Sequence, residues 1–197
     1  MPIRPFPYPF RIGADICHVP RLVDLITQGS RHSLHPRVVL NQFLRRILTA
    51  EERMIYHARW PAKEDNISNS MTIRIAQHLA GRWAAKEAVI KAVKPRKLTL
   101  HQIIVFSGSR KVIDNDNETY AVILDRPPPP EPSQETNEQE LEGGYSPMKD
   151  FDELDGQIVR LSISHDGDYA YAVCMAPTMP EPGDVGGEAA ARKDEKL

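Results

Sequence analysis

The stretch Gln77-His-Leu-Ala-Gly-Arg-Trp-Ala-Ala-Lys-Glu-Ala-Val-Ile-Lys-Ala-Val93 anchors everything around it. At helical spacing Leu79, Trp83, Ile90 and Val93 form an apolar stripe. Arg82 and Lys86, and separately Glu87 and Lys91, stand four apart on adjoining ridges. The pattern predicts a helix buried on one side, with cations and one carboxylate on a solvated rim. Ala80, Gly81, Ala84, Ala85, Ala88 and Ala92 would let another backbone or a ligand come close, and all but Gly81 are also good helix formers.

Outward from this helix, Ser70 is a suitable N-cap and Pro95 a stop, which bounds the element at roughly 70–93. Upstream, Thr49-Ala-Glu-Glu52 has the spacing of a capping box, so a helix starts there and runs to about His57 or Arg59. Val38–Ile47 reads as an amphipathic helix carrying Phe43, Arg45 and Arg46, and Pro20–Ile26 as a shorter one with Arg21 pointing outward. Arg11–Cys17 reads as a strand in which Asp15 shares a face with Gly13. An acid is disfavoured inside a strand, and an edge position with the carboxylate in water is the simplest account of Asp15. Downstream the period changes to two, with strands expected at His101–Phe106, Thr119–Leu124, Ile158–Ser164 and Tyr169–Met175. Asp114–Asn117 and Asp166-Gly-Asp168 supply turns. The expected fold is α+β, a long central helix packed on a small antiparallel sheet.

With 197 residues, 41% of them hydrophobic, the chain has enough for one core. A single domain over 1–177 is expected, with a disordered acidic insertion at 126–156 and a disordered tail at 178–197. No apolar run reaches the length of a membrane span, and none resembles a secretory signal, so a soluble protein without a membrane partner is expected. Cys17 and Cys174 lack metal-ligand spacing and read as two packed thiols in a reducing compartment.

The formal net charge of −2 conceals a polarity. Residues 127–156 hold nine acids and one lysine, and residues 177–197 five acids and three basic residues. The remaining body has 13 acids and 21 basic residues, a balance of +8, which points to an anionic partner. Nucleic acid is one such partner, but the cations are spread over several elements, aromatic residues make up 7%, and no binding motif stands out. The pattern of Asp15, Lys86-Glu87 with Lys91, and Ser162-Ile-Ser-His165 suits a hard divalent cation shared with phosphate oxygens. Magnesium takes one or two protein carboxylates and leaves its other positions to water and phosphate.

The chain resembles the short, stand-alone holo-acyl-carrier-protein synthase type of 4′-phosphopantetheinyl transferase. The resemblance is carried by Gly13-Ala-Asp-Ile16 with Arg21, Phe43-Leu-Arg-Arg-Ile-Leu-Thr49, Leu79-Ala-Gly-Arg-Trp-Ala-Ala-Lys-Glu-Ala88 with Lys91, and Leu161-Ser-Ile-Ser-His165 before Tyr169-Ala-Tyr-Ala-Val173. It implies transfer of the phosphopantetheine arm of coenzyme A to a serine of an acyl carrier protein, dependent on Mg²⁺, with release of adenosine 3′,5′-bisphosphate. By the same resemblance Asp15 and Glu87 match the metal ligands, and Lys91 the lysine on the diphosphate. The resemblance implies Glu87 and Lys91 as the catalytic residues. Arg74 matches the 3′-phosphate position and His165 the histidine lining the coenzyme pocket. Arg82 and Lys86 fall where further phosphate contacts or structural pairing belong, and Arg21 and Phe43 match the carrier-docking face. The family implies a homotrimer with sites between subunits. The chain departs from it in having Lys94-Pro-Arg-Lys97 where glycines usually follow the helix, and in the insertion. That embellishment suggests a fungal enzyme serving a mitochondrial carrier, with a cytoplasmic location as the alternative. A catalytically idle trimeric scaffold is the rival within the same fold.

Overall fold

The computed structural model describes residues 8–28, 36–60, 69–107, 119–126 and 155–177. Strand β1 (Phe10–His18) leads into helices α1 (Val19–Gln28), α2 (Pro36–Ile47), α3 (Ala50–Arg59) and α4 (Asn69–Ala92). The remaining strands are β2 (Ile103–Ser107), β3 (Thr119–Leu124), β4 (Gly156–Asp166) and β5 (Tyr169–Pro177). They form one five-stranded antiparallel sheet in the order β1-β5-β4-β3-β2, so the first strand closes the sheet beside the last. Among the described residues no helix is long and apolar enough to cross a membrane.

Helix α4 lies across β1 and β5, with α1 alongside. The seam is built from small residues on both sides. Ala76, Ala80, Ala84, Ala88 and Ala92 recur every fourth position and are fully buried, as are Ala170, Ala172, Cys174 and Ala176 on alternate positions of β5. At Gly13 of β1 a Cβ would collide with the Ala88 carbonyl oxygen and stand 2.5 Å from the Ala92 nitrogen. Backbone therefore touches backbone, and only glycine fits. The small residues of α4 admit a strand. Cys17 and Cys174 are free and buried, and burial raises both thiol pKa values, that of Cys174 to about 12.

Several expected boundaries move. Helix α4 begins at Asn69, which puts Ser70 inside its first turn rather than at the cap. His101 and Gln102 belong to a one-turn 3-10 helix, Leu100–Gln102, not to a strand. Gln102 Oε1 accepts from Thr99 N at 3.1 Å, which curls the chain before β2 can start. Strand β4 begins at Gly156, paired with Leu124, and Asp125 N donates to the Asp155 carbonyl at 3.1 Å. Arg126, Asp155 and Gly156 thus belong to a described hairpin stem, and residues 127–154, like the tail from 178 and the Asp114–Asn117 turn, lie outside the described residues. The expected capping box forms, with Thr49 Oγ1 accepting from Glu52 N at 3.3 Å and Glu52 Oε2 from Thr49 N at 2.9 Å. The β4–β5 hairpin turns through Gly167 at φ 50°, a conformation that L side chains avoid.

The sheet face turned away from α4 exposes large apolar side chains. Ile12 and Ile16 on β1 are 64% and 59% exposed, with Tyr169, Tyr171 and Met175 beside them on β5.

Candidate active site

Alternation along β1 sends Gly13, Asp15 and Cys17 toward α4 and Ile12 and Ile16 to the opposite face. Asp15 is on an edge strand as expected, but its carboxylate does not point to water. Lys91 Nζ stands 2.6 Å from Asp15 Oδ1 and 3.0 Å from the Ala14 carbonyl, so it clamps the strand to the last turns of α4. The Asp15 side chain is 17% exposed and that of Lys91 44%. A partly exposed pair of this kind contributes little to stability, so Lys91 can exchange one anion for another at small cost. Glu87 sits one helical turn before Lys91 and is half-buried.

Two carboxylates with hard oxygen donors and a neighbouring ammonium fit Mg²⁺ shared with a phosphate ligand. Among the described residues no group of three or more His, Cys, Asp and Glu side chains could hold a metal. A cation held here would take at most Asp15 and Glu87 from the described residues and would leave its other positions to phosphate and water.

A second group of site candidates gathers at the other half of α4. His165 Nε2 lies 3.0 Å from the Gln77 carbonyl and rests on Gly81, where a Cβ would be 3.2 Å from the ring. Arg74 is exposed one turn earlier. At about 1.5 Å rise per residue, Arg74 is about 25 Å along the helix from Lys91, and Gln77 about 15 Å from Glu87. One chain therefore brings Asp15 and Lys91 together on the turns that carry Glu87, and keeps His165 and Arg74 at a distance.

Lys86 corrects the expectation of a charged rim. It is 0% exposed, with Nζ 2.5 Å from Glu52 Oε2 and 2.9 Å from the Leu100 carbonyl. Glu52 Oε1 also accepts from Val105 N at 3.0 Å. Burial pulls the Lys86 pKa down while the Glu52 charge holds it up. Of the two roles open to Lys86, the geometry gives pairing. Glu52 is the residue the sequence reading missed, because its carboxylate was fully accounted for by the capping box and its partner lies 34 positions on. Arg82 donates to Ser107 Oγ at 3.1 Å, and burial lowers its pKa. Phe43 packs half-buried on Trp83, the rings 6.1 Å apart and 12° from parallel, while Arg21 is exposed on α1.

His78 sits edge-on to Trp60, centroids 4.7 Å apart. Burial lowers its pKa to about 3, helped by the charges of Arg82, Arg59 and His165. Its neutral form is bound in the fold, whereas the unfolded chain takes up a proton near 6.5. Below that pH the unfolded state holds the extra proton, so stability falls with pH from about 6.5 toward about 3, by up to about 1.4 kcal/mol per pH unit. Urea unfolding of the parent and His78→Phe across this range is expected to show a shallower acid slope in the variant.

The family model for the 4′-phosphopantetheinyl transferase superfamily matches residues 11–174. A 4′-phosphopantetheinyl transferase B, mitochondrial, of Aspergillus fumigatus is 33% identical over 184 residues, covering 89% of this chain and 99% of the relative. A holo-[acyl-carrier-protein] synthase of Corynebacterium efficiens is 30% identical over 171 residues, covering 83% and 91%. Among solved structures, the holo-ACP-synthase of Plasmodium yoelii aligns with a TM-score of 0.48 at 16% identity, covering 86% of this chain and 94% of that one. The chain belongs to the 4′-phosphopantetheinyl transferase superfamily, in its holo-acyl-carrier-protein synthase type.

Proposed function

We propose that the chain transfers the 4′-phosphopantetheine group of coenzyme A to a serine of an acyl carrier protein, with Mg²⁺ and with release of adenosine 3′,5′-bisphosphate. The observation that carries this reading is the Asp15–Lys91 pair, clamped to the α4 turns that bear Glu87. In the reaction the serine oxygen forms a bond to the β-phosphorus. The bond from that phosphorus to the bridging oxygen breaks, and the electron pair leaves with the nucleotide. Asp15 and Glu87 would hold Mg²⁺, which neutralises the diphosphate when bound. Lys91 exchanges Asp15 for a phosphate oxygen and stabilises the charge that grows there. Glu87 is the carboxylate assigned to take the serine proton. Because it also belongs to the metal set, Glu87→Gln separates the two roles only when metal affinity is measured alongside activity.

The active assembly is a homotrimer with sites between subunits. The exposed apolar sheet face of Ile12, Ile16, Tyr171 and Met175 supports burial against further copies. The distance along α4 supports His165 and Arg74 reaching the Asp15 group of a neighbouring subunit, with Arg74 on the 3′-phosphate and His165 on the coenzyme. A mitochondrial location accords with the name of the Aspergillus fumigatus relative. The basic body and exposed Arg21 favour an acidic carrier, with the outer edge of Phe43 beside it. Reversing that charge with Arg21→Glu is expected to raise KM for the carrier about fivefold at low salt, and the difference is expected to shrink as salt rises. Steady-state kinetics at two ionic strengths test this.

Intact-mass spectrometry of an apo carrier incubated with the protein, coenzyme A and Mg²⁺ tests the whole reading. A mass gain equal to the phosphopantetheine arm, abolished by EDTA, is the expected result. A folded protein that modifies none of several carriers would leave the idle scaffold as the better account.

A further inference from the structure

The buried pair Glu52–Lys86 lies outside the machinery just described, and its connections run from the central helix to the head of α3, to β2 and to the 3-10 turn at Leu100. Lys86 projects from α4, Glu52 from α3. The Glu52 carboxylate takes hydrogen bonds from Thr49 N at the head of α3, from Val105 N in β2 and from Lys86 Nζ, while Lys86 also donates to the Leu100 carbonyl. Both side chains are almost wholly removed from water, 0% and 3% exposed.

A buried ion pair is seldom retained for stability alone, since desolvation offsets most of its attraction and an apolar pair of similar volume does as well. Its distinguishing property is direction. The main seam of α4 supplies little direction of its own: apart from the partly exposed Lys91 bonds to Asp15 and the Ala14 carbonyl, it is a row of alanines laid on the alanines of β5 and on Gly13. Small side chains meeting small side chains interlock weakly, so they fix the distance between helix and sheet better than the rotation of the helix about its axis. Glu87 follows Lys86 directly and Lys91 stands five residues on, so the rotation that buries Lys86 also sets where both point. A carboxylate about 6 Å from the axis moves about 2 Å for a 20° turn, and Mg²⁺ tolerates little departure from octahedral positions at about 2.0–2.1 Å.

We propose that Glu52 and Lys86 form a rotational lock on α4, and that Glu52 is thereby a positioning residue for the Asp15–Glu87 cation site. The proposal rests on the function proposed above for the identity of that site. The lock itself is a property of the fold and can be read without it.

The test compares the parent chain with Lys86→Met and with the double variant Glu52→Gln/Lys86→Met. The single variant leaves a carboxylate buried without its counter-charge and is expected to lose stability. In the double variant both charges are gone, the amide oxygen can still accept a backbone hydrogen bond, and the melting temperature is expected to recover most of that loss. Mn²⁺ affinity in the presence of coenzyme A, followed by loss of the free-ion electron paramagnetic resonance signal, is expected to stay at least fivefold weaker in the double variant than in the parent. Recovery of Mn²⁺ affinity to within twofold, together with the melting temperature, would overturn the lock and leave the pair a packing element. Should the parent bind neither Mn²⁺ nor coenzyme A, the proposed function fails. The lock is then read from amide hydrogen exchange over residues 84–91. Exchange at least fivefold faster in the double variant supports it, and parent-like exchange overturns it.

Discussion

Replacing Asp15 with alanine is expected to lower the rate of phosphopantetheine transfer more than about a hundredfold, the scale on which preorganised charge at a reacting phosphoryl or acyl group is lost. The change removes one of the two carboxylates proposed above to hold the cation. It also releases the Lys91 ammonium from the partner 2.6 Å away, although the Ala14 carbonyl still accepts from it. Stability should change by less than about 1 kcal/mol, because a partly exposed ion pair contributes little. The informative result is therefore a folded, inactive protein. Initial rates from intact-mass time courses, with Mg²⁺ varied over two decades, provide the measurement. Saturation at parent-like Mg²⁺ concentrations with an undiminished rate would remove Asp15 from the metal set and the proposed mechanism with it. Asp15→Asn, which keeps the shape and loses the charge, should be nearly as impaired, since an amide oxygen is a weak ligand for a hard dication.

Gly13→Ala is expected to be the most damaging methyl group that could be added at any of the described glycines. The added carbon would meet the Ala88 carbonyl and the Ala92 nitrogen, and helix backbone cannot rotate away as a side chain can. Either β1 or α4 must shift. Overpacking against yielding side chains costs about 1–3 kcal/mol, and contact with backbone should lie at or above the upper end of that range. Urea unfolding measures it directly. Activity should fall with stability and stay low at temperatures where the variant is fully folded, because the shift separates Asp15 from the Glu87 turn. An unfolding midpoint equal to the parent's would show that the strand and helix are less tightly apposed than described.

Those two residues also mark what the sequence made legible. Gly13 and Asp15 on one face, and small residues recurring along the helix, were readable because strand and helix periods follow from backbone geometry alone. The capping box at Thr49 was readable for the same reason, being local. Lys86 was not. Its spacing from Arg82 matched that of a solvated pair, and nothing within a few residues announced that a carboxylate 34 positions upstream would meet it in the core. The strand expected from His101 failed for a local reason of a different kind: a Gln side chain competed with the ladder for the Thr99 backbone, and period-two patterning does not register such competition. Of the candidate site, the meeting of Asp15 with Lys91 is a geometric fact that strand and helix periods alone could suggest, whereas the separation of Arg74 and His165 from that pair needed a folded helix to measure.

The stem that closes the β3–β4 connection carries a consequence for how this chain can vary. Asp125 and Asp155 are joined backbone to backbone, and Leu124 pairs with Gly156 just inside. Sheet register is settled at that clasp, and the 28 positions between 127 and 154 lie beyond it. Closing a longer loop costs only about 0.6 kcal/mol for each doubling of its length. Changing the number of residues between the two aspartates is therefore expected to leave the pairing of β3 with β4 as it is, because the clasp rather than the connection sets that register.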